Sequence, residues 1–154
     1  MSFVGNITAK ESFDELMSSA DSVLVDVRSS RELSVDGVAF LENHPDRLLF
    51  CEWRSETPQN EKRKFLDDLL LRINFQVTSR LYFICRSGIR SREAASYVGN
   101  ELFVTGVNVI CLNISDGFEG NAYKMFGFGE RNGWKAAGLP VSKASMPEGC
   151  RGVR

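Results

Sequence analysis

The strongest constraint on what this chain can fold into is an alternation. Short apolar runs, rich in β-branched and aromatic residues, are separated by longer amphipathic stretches. Val23-Leu24-Val25-Asp26-Val27 reads as a buried strand that ends at the polar cluster Arg28-Ser29-Ser30. Leu48-Leu49-Phe50-Cys51-Glu52-Trp53, Leu81-Tyr82-Phe83-Ile84 and Val107 to Leu112 read as three more strands. Helical patterns lie before and between them. Phe13, Leu16 and Met17 fall at helical spacing behind Thr8, a candidate N-cap. Phe65, Leu66, Leu69, Leu70 and Ile73 make one apolar stripe on a helix whose other face carries Lys62, Arg63, Lys64, Asp67, Asp68 and Arg72. Thr57-Pro58 supplies its expected cap and first helical position. Ala94, Ala95, Val98 and Leu102 form the inward side of a further helix, with Gly106 expected just past its end. Strands separated by helices imply βαβ units, hence an α/β fold with a parallel sheet and helices on both faces.

The length, 154 residues, suits one domain on a prior of roughly 100–200 residues each. Residues 5–141 are expected to form it, and residues 142–154 to be a loose tail without apolar periodicity. Lys and Arg number 19 against 20 Asp and Glu, a net charge of −1, which argues against a nucleic-acid surface. The longest uncharged run, Leu102 to Ser115, falls short of the about 20 apolar residues that cross a membrane. No membrane partner is expected. A single histidine, His44, excludes a two-His metal site within the chain, and no metal or cofactor is implied. Cys51, Cys85, Cys111 and Cys150 are too scattered for a CxxC motif. With no basic segment and apolar run at the N-terminus, a reduced, cytoplasmic setting is the expectation.

Cys85 stands out among the four. It lies where a buried strand ends and a helix begins, which is where open α/β sheets bind ligands. The helix N-terminus beyond offers unpaired N–H groups and the positive end of its dipole. Gly88 allows a tight curl, and Arg86, Arg90 and Arg92 add positive charge. These conditions favour a thiolate and also make an anion site. Cys51 and Cys111 lie inside strand runs and read as packing residues. Cys150 reads as an incidental surface cysteine.

Cys85-Arg86-Ser87-Gly88-Ile89-Arg90-Ser91 resembles the active-site loop of the rhodanese family of sulfurtransferases. Three further segments resemble that family in the same order along the chain. They are Leu24-Val25-Asp26-Val27-Arg28, Asp116-Gly117-Phe118, and the stretch Asn132-Gly133-Trp134 to Gly138-Leu139-Pro140. The resemblance implies a five-stranded, mostly parallel sheet flanked by helices. It also implies that Cys85 is a nucleophile. Its thiolate would take the outer sulfur of a small anionic donor such as thiosulfate, release sulfite, and keep a persulfide for a thiol, cyanide or protein acceptor. On that reading N–H groups from Arg86 to Ser91, through Ser87, Gly88 and Ile89, stabilise the sulfur anion, and Arg86 and Arg90 suit a sulfonate. Asp26 and Arg28 would support the loop from behind.

The chain also departs from the family pattern. The segment Asp36-Gly37-Val38-Ala39-Phe40 lacks the usual His and second Gly, and His44, beside Pro45, reads as a surface loop residue. Asp116 stands where the family has a Gly. An insertion from Asn121 to Arg131, carrying Tyr123, Phe126 and Phe128, reads equally as a wall of the site or as a packed loop. Three other functions compete. A mercaptopyruvate sulfurtransferase would usually have Gly where Arg86 stands. The cysteine phosphatases that share this fold family need Arg at the position of Ser91. A sulfur carrier or protein-binding module would act only with a partner. The oligomeric state is left open.

Overall fold

The protein is described by a computed structural model covering residues 4–121, 124–125, 128–129 and 131–143. In chain order the elements are β1 (Val4–Ile7), α1 (Ala9–Ser18), β2 (Ser22–Asp26), α2 (Ser30–Asp36), β3 (Val38–Ala39), β4 (Leu48–Phe50), α3 (Gln59–Arg72), β5 (Arg80–Ile84), α4 (Ile89–Val104), β6 (Ile110–Ile114), β7 (Lys124–Met125), β8 (Phe128–Gly129) and β9 (Val141–Ser142). The main sheet has the order β1-β6-β5-β2-β4, and every pairing in it is parallel. The two central strands, β5 and β2, are therefore covered on both faces, which is why they read as continuous apolar runs.

Alternation along those strands divides the core. Val23, Val25, Val27, Leu81, Phe83 and Cys85 face α3 and α4, packing on Phe65, Leu66, Leu69, Ala94, Ala95 and Val98. Leu24, Tyr82 and Ile84 point the other way, toward Ala9 and Leu16 of α1 and toward Phe118 and Trp134. Full burial of one such Leu stabilises by about 1.5–3 kcal/mol. The stripe on α3 buries Phe65, Leu66, Leu69 and Ile73 but leaves Leu70 39% exposed.

Local chemistry sets the helix starts. Thr8 caps α1 in a capping box with Glu11, as its position suggests. Ser29 does the same for α2 with Glu32, and this short helix is absent from the sequence reading, which ends the strand in a polar turn. In α3 the N-cap is Pro58, not Thr57, whose hydroxyl bonds back to the Arg54 carbonyl instead. Gly106, with φ +81°, follows the end of α4, and the Val107 N–H returns to the Leu102 carbonyl.

Two strands are shorter or shifted relative to the pattern. The sheet keeps only Leu48–Phe50 of the second apolar run, and the last main strand is Ile110–Ile114 instead of Val107 to Leu112. The fifth strand is β1, an edge strand of four residues paired with β6 alone. Its Gly5 and Asn6 mask any strand signal, and only the partner strand organises it. Ser142, read as tail, pairs in β9 with Val38. The rest of the expected tail from residue 144, Cys150 included, lies outside the described residues.

Candidate active site around Cys85

Parallel topology puts the carboxyl ends of β2, β4 and β5 along one edge of the sheet, and Cys85 is the first residue past β5. The chain turns there in three residues and enters α4. Gly88, its N-cap, is left-handed at φ +98°, and a Cβ on it would lie 2.3 Å from the Ser115 carbonyl oxygen. Gly117, at φ +69°, meets the Arg86 carbonyl oxygen equally closely. Only glycine lets these two turns nest. The second turn then braces the first. The N–H groups of Phe118 and Glu119 donate to the carbonyls of Cys85 and Arg86 at 2.8 and 3.0 Å. Asn121 Nδ2 donates to the Ser87 carbonyl at 3.2 Å.

The Cys85 side chain is fully buried. Its Sγ accepts from the Gly88 N–H at 3.1 Å and lies 3.2 Å from Ser91 Oγ. Among the loop amides, Gly88 is the one that reaches the sulfur. The Ser91 hydroxyl also lies 2.6 Å from Asn113 Oδ1. Asn113 is fixed in turn, because its Nδ2 faces the Gly88 carbonyl at 3.1 Å, a group that can only accept. A single hydroxyl proton therefore serves either the amide oxygen or the sulfur. Asn113, on β6, is absent from the sequence reading, and nothing local in the sequence marks it.

Arg28, buried, and Arg90, half-buried, are both paired. Arg28 grips Asp26 through Nε and Nη2, at 3.0 and 2.8 Å, and donates to the Gly37 carbonyl. It does not touch the Cys85 loop directly. Its guanidinium lies 4.0 Å over the ring of Phe118, whose N–H holds the Cys85 carbonyl. Arg90, on the first turn of α4, makes two bonds to Glu32 at 2.7 and 2.8 Å. That guanidinium holds the Glu32 carboxyl down to about 2, against the opposing effect of burial and with help from Ser29. Arg86, Ile89 and Arg92 are exposed, and Ser87 is half-buried. The S-x-x-E capping signature at Ser29 was the available signal for Glu32.

Asp116, the departure from the Gly pattern, has a structural use. Its Oδ1 accepts from the Ala9 N–H at 2.8 Å and its Oδ2 from the Gly133 N–H at 3.1 Å. The carboxylate thus caps α1 across the sheet and ties down the segment carrying Trp134. His44 precedes a turn of 3-10 helix, Pro45–Arg47, that leads into the amino end of β4, the sheet edge opposite Cys85. Tyr123 and Phe126 of the insertion lie outside the described residues, as does the side chain of Phe128. Among the described residues no group of three or more His, Cys, Asp or Glu could hold a metal, and no helix is long and apolar enough to cross a membrane.

Comparison with known proteins places this architecture. No family model matches the chain. It is 35% identical over 137 residues to an uncharacterized protein of Rickettsia rickettsii, the RP600 homolog, covering 89% of this chain and 96% of that one. The crystal structure of Rv0390 from M. tuberculosis is similar at 32% identity and TM-score 0.70, over 93% of this chain and all of that one. The polysulfide-sulfur transferase homodimer of Wolinella succinogenes shares the fold at 20% identity and TM-score 0.57, over 94% of this chain and 82% of that one. The chain belongs to the family of the RP600 proteins and Rv0390, a family with the rhodanese-like fold.

Proposed function

We propose that this protein is a sulfurtransferase that carries a sulfane sulfur on Cys85. The observation behind the reading is the sulfur's setting. Cys85 Sγ lies at the N-terminus of α4 with the Gly88 N–H and the Ser91 hydroxyl within 3.1 and 3.2 Å. Donors so placed stabilise a thiolate before the reaction and a persulfide anion after it. The step balances without an oxidant. The thiolate attacks the outer sulfur of thiosulfate, a sulfur–sulfur bond forms, the original one breaks, and sulfite leaves with the bonding pair. A thiol, cyanide or protein acceptor then removes the sulfur, giving two half-reactions. Asp26 and Arg28 act behind the site through Phe118, and Asn121 through Ser87. A reducing cytoplasm keeps the thiol free.

A second reading, a sulfur carrier served by a partner protein, is favoured by one feature. Cys85 has no exposed surface, while Ile89, the first residue of α4, is 66% exposed and stands in the chain between the exposed Arg86 and Arg92. One experiment tests both readings. Thiosulfate should make the protein one sulfur atom heavier by intact mass, cyanide should reverse it, and Cys85→Ser should take up nothing. Uptake by Cys85→Ser would sink the assignment. Uptake from a persulfidated partner protein but not from thiosulfate would leave the carrier. Efficient turnover of an aryl phosphate would point to a phosphatase instead.

A further inference from the structure

The glycine that lets the Cys85 loop turn also leaves one of its peptide units free to rotate. A peptide unit is planar and trans, so the Ser87 carbonyl and the Gly88 N–H point in opposite directions from one plane. That unit aims its N–H at Cys85 Sγ, at 3.1 Å. Turning it over needs only that ψ of Ser87 and φ of Gly88 change together. Glycine accepts either sign of φ, and Gly88 stands at +98°. A unit turned over would face the sulfur with a carbonyl oxygen, and a thiolate or persulfide anion would lose a donor.

The preceding peptide units of the loop are held from the backbone. The Phe118 N–H takes the Cys85 carbonyl at 2.8 Å, and those of Glu119 and Gly120 take the Arg86 carbonyl at 3.0 and 3.2 Å. The Ser87 carbonyl, next in line, is met by a side chain. Asn121 Nδ2 donates to it at 3.2 Å and to the Ser115 carbonyl at 3.0 Å. Both partners can only accept, which fixes the end of the amide that faces the loop. Asn132 holds the residue from the other side. Its Oδ1 accepts from the Asn121 N–H at 2.8 Å, and its Nδ2 donates to Asn121 Oδ1 at 2.5 Å. Asn121 opens the segment inserted relative to the family pattern and Asn132 follows its end, so the resemblance assigns neither a role.

We propose that Asn121, held by Asn132, is a positioning residue for Cys85: it anchors the Ser87–Gly88 peptide by its carbonyl and so keeps the Gly88 N–H on the sulfur. The inference rests on Cys85 being the sulfur acceptor. The anchor touches neither the sulfur nor the N–H and acts through one peptide plane. A bond accepted by the carbonyl also polarises the N–H of the same unit, so the two hydrogen bonds reinforce each other.

Asn121→Asp is the informative variant. It keeps the size of the side chain and can still accept from Asn132, but it has no donor for Ser87 and sets a carboxylate against two carbonyls. Sulfur uptake from thiosulfate is followed by intact mass, and the Gly88 amide by NMR. In Asn121→Asp uptake should slow about tenfold, as for the loss of one donor. The Gly88 amide proton should move upfield, the signature of a lost hydrogen bond. Asn132→Ala frees Asn121 without touching the loop. It should give smaller changes in the same directions, and it carries the test if Asn121→Asp does not fold. A Gly88 amide that stays in place, or uptake at the wild-type rate with that amide displaced, would overturn the proposal. A wild type that takes up no sulfur would instead overturn the sulfurtransferase reading, and the Gly88 amide would then decide by itself whether Asn121 holds the peptide.

Discussion

Cys85 and Cys51 occupy equivalent places on the sheet. Each directly follows its strand, and register sets them on either side of Val27, facing the same core beneath α3 and α4. Both are buried. What comes next in the chain separates them. After Cys85 the backbone curls through Gly88 into α4, so an N–H and a hydroxyl converge on the sulfur. After Cys51 it stays extended into Glu52 and Trp53, and the sulfur's hydrogen-bond neighbour is a carbonyl, that of Phe65 at 4.0 Å. With no donor aimed at it, burial pushes the Cys51 thiol up to about 12, and Cys111 likewise. A cavity of about 150 Å³ even opens beside Cys51, lined by Trp53 and Phe65 among others, and Cys85 is not among its walls. The direction of nearby donors separates the two sulfurs, whereas burial does not.

The sharpest way to break this comparison is to exchange the cysteines' fates. Cys85→Ser should lose all sulfur uptake by mass spectrometry, while Cys51→Ala keeps it and loses about 1 kcal/mol of stability in urea unfolding, for a small core deletion. Uptake that depends on Cys51 would reverse the assignment. Next in size is the loop itself. Gly88→Ala forces a side chain into a left-handed position 2.3 Å from a carbonyl oxygen, and should cost on the order of 3 kcal/mol together with most of the uptake. An alanine tolerated there would mean that the curl is not what sets Cys85 apart.

Ser91→Ala sharpens the contrast at the sulfur. Losing one of its two donors should slow persulfide formation about tenfold. Asn113→Ala should alter the rate only while Ser91 is present, and a double-mutant cycle by stopped-flow checks this. Purely additive effects would make Asn113 a packing residue. The smallest effect concerns acid stability. Glu32 titrates at about 2 when folded against an ordinary 4.5, so its pairing with Arg90 stabilises the fold above about pH 4.5 and is lost as pH falls toward 2. Glu32→Gln should flatten that part of the thermal-melting profile. An unchanged acid limb would show that the ion pair contributes little to the fold.

Much of the fold was legible because its signals are local. An N-cap adjoins the helix it starts, as Thr8 does α1, and a buried strand announces itself by an apolar run, as at Val23 to Val27. Edge strand β1 was not legible, since Val4-Gly5-Asn6-Ile7 carries little strand preference and is shaped by β6. Asp116 was legible only as a departure from the family's Gly, and it caps a helix whose first residue, Ala9, lies 107 positions away.

The same divide runs through the site. The sequence by itself determined that Cys85 stands at a strand-to-helix turn, that Gly88 permits the turn, and that arginines crowd it. Each of these is a property of neighbours along the chain. Only the tertiary structure decided which arginines keep a free charge. Arg90 meets Glu32 across 58 residues, and Ser91 meets Asn113 across 22. Such pairings depend on the order in which parallel strands line up, and no local spacing encodes that order. Composition offers the charges, but topology chooses which of them cancel, and an ion pair closed at hydrogen-bond distance removes a cation from the count available to a substrate.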